Sequence, residues 1–188
     1  MKHLIFVIMM TVALIAGAQS ADKLYEQGKK LYDAKQYTQA VAKLKVAAEK
    51  GHKKAQYRLG RCYDKGNGVA ENEKLAFYWY SKSAAQGHAK AQYQVGKSYK
   101  NGEGVEKNIT KAVDYFTKAA KQDNADAQLA LAKCFLKGKG VPADKSRAKA
   151  LAKKAVKNEK DGKEIMEKLR KDASEGDEDA KTLLALIK

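Results

Sequence analysis

The chain contains few of the residues on which metal centres, disulfide scaffolds and most catalytic sites depend. Its 188 residues include two cysteines and three histidines. Two cysteines without matching histidines argue against a structural zinc site. His52 and His88 lie 36 residues apart at equivalent positions, so we expect neither a shared metal ion nor a Ser-His-acid grouping. The sequence predicts a non-enzymatic protein without a cofactor.

Long hydrophobic runs are absent beyond the first residues. An apolar run at residues 4–15 follows Lys2 and precedes three small residues at 16–18. This order is typical of a secretory signal peptide, and the run is shorter than the about 20 residues that a membrane-spanning helix needs. We expect residues 1–18 to be a signal peptide and 19–188 to form one domain. The protein would be exported, periplasmic or secreted, with no membrane span after signal removal.

A pattern of 36 residues occurs three times in succession. Its marker residues are Gly60, Tyr63, Gly66, Gly68 and Ala76, then Gly96, Tyr99, Gly102, Gly104 and Ala112, then Ala132, Phe135, Gly138, Gly140 and Ala148. A fixed period of this size indicates a stacked repeat array. With a shorter first copy, the expected repeats are 22–52, 53–88, 89–124 and 125–160, followed by capping helices at 161–188.

Each copy contains two helices separated by a Gly-x-Gly-Val element. Apolar residues recur at three- and four-residue spacing on both sides of it, and the first glycine suits the left-handed end of a helix. A phosphate-binding loop is not indicated, because no strand precedes the glycines and no Gly-Lys-Ser/Thr ending follows. Gly60 and Gly96 each cost about 1 kcal/mol in a helix relative to alanine, so they predict close approach of the partner helix.

The two cysteines occupy equivalent positions two repeats apart. Cys62 and Cys134 each lie two residues after the marker glycine or alanine. At ~9 Å for each helix spacing they are ~18 Å apart or more, whereas a disulfide needs Cα atoms within about 7 Å. We therefore predict two buried free thiols.

These spacings resemble two related families. The shorter first copy is similar to a tetratricopeptide repeat, and the 36-residue copies resemble Sel1-like repeats. The match is best over residues 55–88, through Leu59-Gly60, Tyr63, Gly66, Gly68-Val69, Ala76, Trp79-Tyr80, Lys82, Ala84-Ala85 and Gly87. The resemblance implies an all-α fold, a right-handed α-solenoid of stacked antiparallel helix pairs with C-terminal capping helices. It also implies that the first helices line a concave, partner-binding surface.

A candidate binding strip follows from one register of the first helices. The register is counted from the first marker of each copy, which is Gly28, Gly60, Gly96 or Ala132. Three residues before it stand Tyr25, Tyr57, Tyr93 and Leu129, and one residue after it stand Lys29, Arg61, Lys97 and Lys133. Residues four apart share a helix face, so stacking would place a row of rings beside a row of cations. Such a row suits an acidic peptide. The alternative, that the rings face neighbouring helices and the cations are solvated, stays open.

The expected function is that of an exported adaptor binding protein or peptide partners through the concave face, as a monomer and without nucleic acid. The net charge of +16 leaves an alternative, a basic protein that binds anionic envelope or matrix polymers. Some exported Sel1-like proteins are associated with β-lactam binding or hydrolysis. Those relatives have a disulfide in each repeat, a pattern that this chain lacks.

Overall fold

The computed structural model describes residues 19–188, which form ten helices and no strand. The helices are α1 (Ala21–Asp33), α2 (Tyr37–Glu49), α3 (Lys53–Lys65), α4 (Glu73–Ala85), α5 (Ala89–Asn101), α6 (Ile109–Lys121), α7 (Ala125–Lys137), α8 (Lys145–Val156), α9 (Gly162–Ser174) and α10 (Glu178–Ile187). The expected signal peptide at 1–18 lies outside the described residues. The all-α prediction is confirmed. The described chain divides into two compact units, residues 19–71 and 72–188.

The first unit is built from α1, α2 and α3, each packed on the next. Its core contains Leu44 and Leu59, both fully buried. A Cβ on Gly28 of α1 would lie 2.8 Å from Cγ of Leu44, a distance that real Cβ atoms do not tolerate. The glycine in the middle of α1 therefore lets α2 approach closely.

The second unit continues the pattern from α4 to α8, each helix packed on the next, and ends with α9 and α10 packed on α7 and α8. In α5, a Cβ on Gly96 would lie 2.6 Å from the ring of Phe116 and 3.2 Å from the carbonyl oxygen of Ala112. In the third repeat Ala132 stands where Gly96 does, and the position of Phe116 is taken by Ala152, so a larger marker residue is matched by a smaller partner. The predicted close approach is confirmed at Gly96.

The two glycines of each Gly-x-Gly-Val element have different roles. The first is the C-cap of the first helix and is left-handed, with φ of 65° at Gly66, 87° at Gly102 and 66° at Gly138. The second, represented by Gly104, lies against the start of the preceding repeat's second helix, where a Cβ would meet the Glu73 carbonyl carbon at 2.5 Å. The second glycine thus lies where the backbone of one repeat packs directly against the preceding repeat.

Polar side chains cap the N-termini of three first helices, a role that the sequence did not predict. His52 accepts a hydrogen bond on Nδ1 from the Ala55 backbone N–H at 3.0 Å, and His88 does the same from Ala91 at 3.2 Å. Asn124 fills the equivalent place at the start of α7. These histidines are therefore N-caps, in the position where short polar side chains satisfy the first free backbone N–H groups of a helix.

The cysteine prediction is confirmed. Cys62 and Cys134 are free and buried. Burial raises the pKa of the Cys62 thiol to about 11, against the smaller opposing effect of Arg61. Burial likewise raises the pKa of Cys134. Both side chains act as small apolar core residues.

Candidate functional site

Each first helix has one face that carries the candidate residues, which we call its stripe; on α7 it carries Leu129 and Lys133. This stripe of α7 is covered by the chain's own C-terminal helices, α9 and α10. Leu129 is 4% exposed and packs in one cluster with Ile165 and Leu169 of α9. Before it on the same face, Asp126 pairs with Nζ of Lys168 at 3.3 Å. In the last repeat, an apolar contact in the middle of the stripe is therefore flanked by an ion pair.

Lys133 makes two ionic contacts on this stripe. Its Nζ lies 2.8 Å from Oδ2 of Asp177 and 3.4 Å from Oδ2 of Asp172. Burial alone would lower the pKa of Lys133, but the two carboxylates raise it above its ordinary value. The hydrogen bond from Lys133 lowers the pKa of Asp177 in turn. One turn further on, Lys137 pairs with Asp179 at 2.9 Å.

The equivalent stripe of α5, 36 residues earlier, carries Tyr93 and Lys97. The Tyr93 ring packs against Phe116, with the ring centroids 5.9 Å apart. Burial raises the pKa of the Tyr93 hydroxyl, and the charge of Asp126 adds to the effect. Lys97 is half-buried and has no ion-pair partner among residues 19–188. The stripe of α5 thus presents a cation that α9 and α10 do not neutralise.

In the first unit the predicted residues separate into buried and accessible ones. Tyr25 is 8% exposed, and its ring stacks on His52 with the centroids 4.4 Å apart. Tyr57 is partly buried. Lys29 and Arg61 are also partly buried and have no ion-pair partner within the described part of the chain. In this unit the two cations and Tyr57 are the accessible members of the predicted strip.

The structure therefore narrows the candidate site. Tyr25 and Leu129 are too buried to offer a partner much contact area, and Lys133 is already ion-paired. What remains accessible is Lys29, Tyr57 and Arg61 in the first unit, and Tyr93 and Lys97 in the second. The sequence pattern could not distinguish these two groups, because repeat-equivalent positions look alike until the covering helices are placed.

The described residues contain neither a metal-binding group of side chains nor a helix that could span a membrane. Across residues 19–188, no three His, Cys, Asp or Glu side chains are grouped so that they could hold a metal ion. In the same range, every helix falls short of the length and apolar character required to cross a membrane. The candidate residues of each unit are cations and partly buried rings.

Comparison with known proteins agrees with this architecture. Sel1 repeats match residues 53–88, 89–124 and 125–159. Compared with curated proteins, the chain matches none. It is similar in structure to a Sel1 repeat protein from Oxalobacter formigenes, with a TM-score of 0.69, 31% identity, and coverage of 86% of this chain and 74% of that one.

A second similar structure is a protective antigen present in uropathogenic Escherichia coli strains that displays an SLR (Sel1-like repeat) fold. Its TM-score is 0.74 and its identity 29%, and the match covers 89% of this chain but 36% of the antigen. The Sel1 repeat fold generally mediates protein–protein interaction, typically as a non-enzymatic scaffold. With its repeats matched over more than half its length, the chain belongs to the Sel1 repeat family, an α-solenoid fold of stacked helix pairs.

Proposed function

We propose that this protein is a non-enzymatic adaptor that binds an acidic protein partner through the accessible cations of its first helices. The observation that carries the proposal is the way α7 binds the chain's own C-terminal helices. There Lys133 lies between the carboxylates of Asp172 and Asp177, at 3.4 and 2.8 Å, beside the apolar contact of Leu129. The fold thus uses this register to bind two carboxylates at the connection between α9 and α10.

The same register on α5 has the chemistry for a similar occupant from another molecule. Lys97 is the repeat equivalent of Lys133, and Tyr93 that of Leu129. The stripe begins with Lys90, where α7 has Asp126, so a partner on α5 meets cations at both ends of the apolar contact. Charge-assisted hydrogen bonds from lysine to carboxylate are about twice as strong as neutral ones. An acidic segment with a central apolar residue fits this arrangement.

Binding of anionic polymers is the second candidate. It is favoured by the net charge of +16 and by the many exposed lysines on the second helices, such as Lys45 and Lys149. Salt separates the two functions, because exposed charges are screened over about 8 Å at physiological ionic strength. Polymer binding would collapse between low and physiological salt, whereas a partner with an apolar contact at Tyr93 would be retained.

The place of action is part of the proposal. Residues 1–18 have the order of a signal peptide, so the adaptor would work outside the cytoplasm, as a monomer. Fractionation of the native cell, with the chain detected by antibody, tests this. Recovery of the uncleaved chain from the cytoplasm alone would contradict export and leave the binding proposal standing.

Charge reversal tests the binding surface. In the variant, Arg61→Glu and Lys97→Glu place carboxylates on the first helices, and in the control Lys45→Glu and Lys149→Glu make the same charge change on exposed positions of the second helices. A photocrosslinking residue introduced at position 94 of α5, near the stripe, identifies the partner in the native cell. We expect crosslinking to persist in the control and to be lost in the variant, with circular dichroism unchanged in both. Equal crosslinking in the two proteins would refute the proposal.

A further inference from the structure

A groove with an apolar floor opens on the second-helix side of the third repeat, away from the stripes described above. It has a volume of about 380 Å³ and is bounded by Thr117 and Lys121 of α6, Leu131 and Phe135 of α7, and Leu151 and Lys154 of α8. We call it the α6–α8 groove. All of these residues lie in the second unit.

The repeat before it shows what normally fills this place. There Tyr115, at the position equivalent to Leu151, stacks on Tyr99 with the ring centroids 5.8 Å apart and the planes 21° apart. Nζ of Lys111 lies 5.3 Å from the centroid of Tyr99, and Nζ of Lys118 lies 5.0 Å from that of Tyr115. Two stacked rings thus lie between two cations in the second repeat.

The third repeat keeps every part of this arrangement except one ring. Phe135 stands in the position of Tyr99, and the Arg147 guanidinium lies 5.5 Å from its centroid, as Lys111 does for Tyr99. Lys154 is the equivalent of Lys118, but the aromatic ring beneath it is replaced by Leu151. The α6–α8 groove is therefore the space that the second ring would occupy.

One cation at the edge of the groove, Lys121, favours an acidic ligand. Arg147 pairs with Asp144 at 3.2 Å and Lys154 with Asp123 at 2.7 Å, which leaves both cations near the groove but neutralised. Lys121 has no ion-pair partner among residues 19–188. A ring in the groove would therefore meet Phe135 on one side, with a carboxylate beside it reaching Lys121. Aromatic pairs and cation–π contacts each add to the affinity beyond the apolar area that they bury.

The geometry points to a second binding site of this protein: the α6–α8 groove takes an aromatic side chain, flanked by carboxylates, from a peptide segment of a protein partner. This site is separate from the first-helix surface of the proposed function. The ring of the ligand takes the place that Tyr115 holds in the preceding repeat.

The test uses the purified chain and two acetylated, amidated pentapeptides, Glu-Glu-Tyr-Glu-Glu and its counterpart with alanine in the centre. Titration followed by ¹H–¹⁵N NMR gives both the affinity and the location of binding. We expect saturable shifts at the amides of Phe135 and Leu151 with the tyrosine peptide, and binding of the alanine peptide weaker by about tenfold or more.

Leu151→Tyr restores the missing ring and is expected to lower the affinity for the tyrosine peptide by about tenfold or more. Leu75→Tyr, the same change at an exposed position of α4, is the matched control and should bind as the unaltered chain does. Ala150→Asp restores the carboxylate that Asp114 provides in the preceding repeat, and it is on the surface, so it tests the site without a core change. It should weaken binding at low salt.

Three results would each overturn the inference: equal affinity for the two peptides, unchanged affinity in Leu151→Tyr, or absence of saturable shifts in the groove. Shifts confined to Lys97 and its neighbours on α5 are one form of the third result, and they would support the first-helix surface. If Leu151→Tyr does not fold, Ala150→Asp decides, because unchanged affinity in that variant is incompatible with an acidic ligand at this place.

Discussion

The two glycines of the loop between α5 and α6 provide a direct test of how neighbouring repeats pack against each other. Gly102 and Gly104 both have positive φ, 87° and 67°, so alanine at either position costs about 1–2 kcal/mol of backbone strain. A Cβ on Gly102 meets nothing closer than Cβ of Lys107 at 3.6 Å. A Cβ on Gly104 meets the Glu73 carbonyl carbon at 2.5 Å and the Lys74 nitrogen at 2.9 Å.

Gly104→Ala therefore adds a backbone collision to the strain. Overpacking that moves backbone costs about 1–3 kcal/mol, so we expect a total loss of about 2–5 kcal/mol for Gly104→Ala against about 1–2 kcal/mol for Gly102→Ala. Glu73 begins α4, which also carries the single tryptophan, Trp79. Urea unfolding followed by Trp79 fluorescence thus reports on the helix that the collision displaces.

The comparison is internally controlled, because the two changes share the residue types, the loop and the sign of φ. Circular dichroism of both variants in buffer shows whether either is unfolded before urea is added. A loss for Gly104→Ala equal to or smaller than that for Gly102→Ala would refute the role assigned to the second glycine. It would mean that the loop moves away from α4 without resistance.

Three further predictions concern contacts within the fold. Asp177→Asn should lower the unfolding free energy by less than about 1 kcal/mol, because the ion pair with Lys133 is partly exposed and screened. Asp177→Ala should lower it by about 1 kcal/mol more, because alanine also removes the N-cap of α10. Equal losses of the two variants in thermal unfolding would contradict this. Gln92→Met should cost about 1 kcal/mol more than Gln128→Met in urea unfolding. Each side chain donates to a backbone carbonyl at 3.4 Å, that of Ala84 or Ala120, but Gln92 also accepts a hydrogen bond from Gln122 at 2.7 Å. Gln128 has instead a long second donor contact to Asp123 at 3.5 Å, and its buried Oε1 has no partner among the described residues. Burial lowers the pKa of His52 in the folded protein, against the opposing charge of Asp22. The stability that neutral His52 contributes is therefore complete above the ordinary histidine pKa of about 6.5 and declines as the pH falls from there toward the folded pKa. His52→Asn keeps a cap that does not titrate, so this variant should lose less stability between about pH 7 and about pH 5; a pH profile equal to that of the unaltered chain would contradict the role of His52 as a cap.

The architecture was predictable because its determinants are local and repeated. Glycine at the end of a first helix and again in its middle has few physical explanations other than a left-handed cap and a close helix contact. Both explanations hold at Gly102 and Gly96. The equivalence of Cys62 and Cys134 likewise excluded a disulfide before any distance was known.

The candidate site was predictable only in part, since accessibility depends on contacts between distant segments. Leu129 and Lys133 match Tyr93 and Lys97 in position, but α9 and α10 cover the first pair. The sequence of residues 161–188 indicates a cap without indicating which face it covers. The histidine caps were also missed, because histidine is an uncommon N-cap and the signal was only its recurrence at 36 residues.

Differences between copies of the repeat are more informative about function than the pattern itself. Positions that seat one repeat on another, such as Gly104 and Gly140, are glycine in each full copy, because a side chain would collide there. Leu151 is under no such constraint, since the preceding repeat accommodates Tyr115 at the same place. Leu151 packs against the core residues around it, but no backbone collision requires the third repeat to leave this space open. The third repeat thus differs from the second by leaving open a space that an aromatic side chain could fill. Binding of a partner would account for this difference.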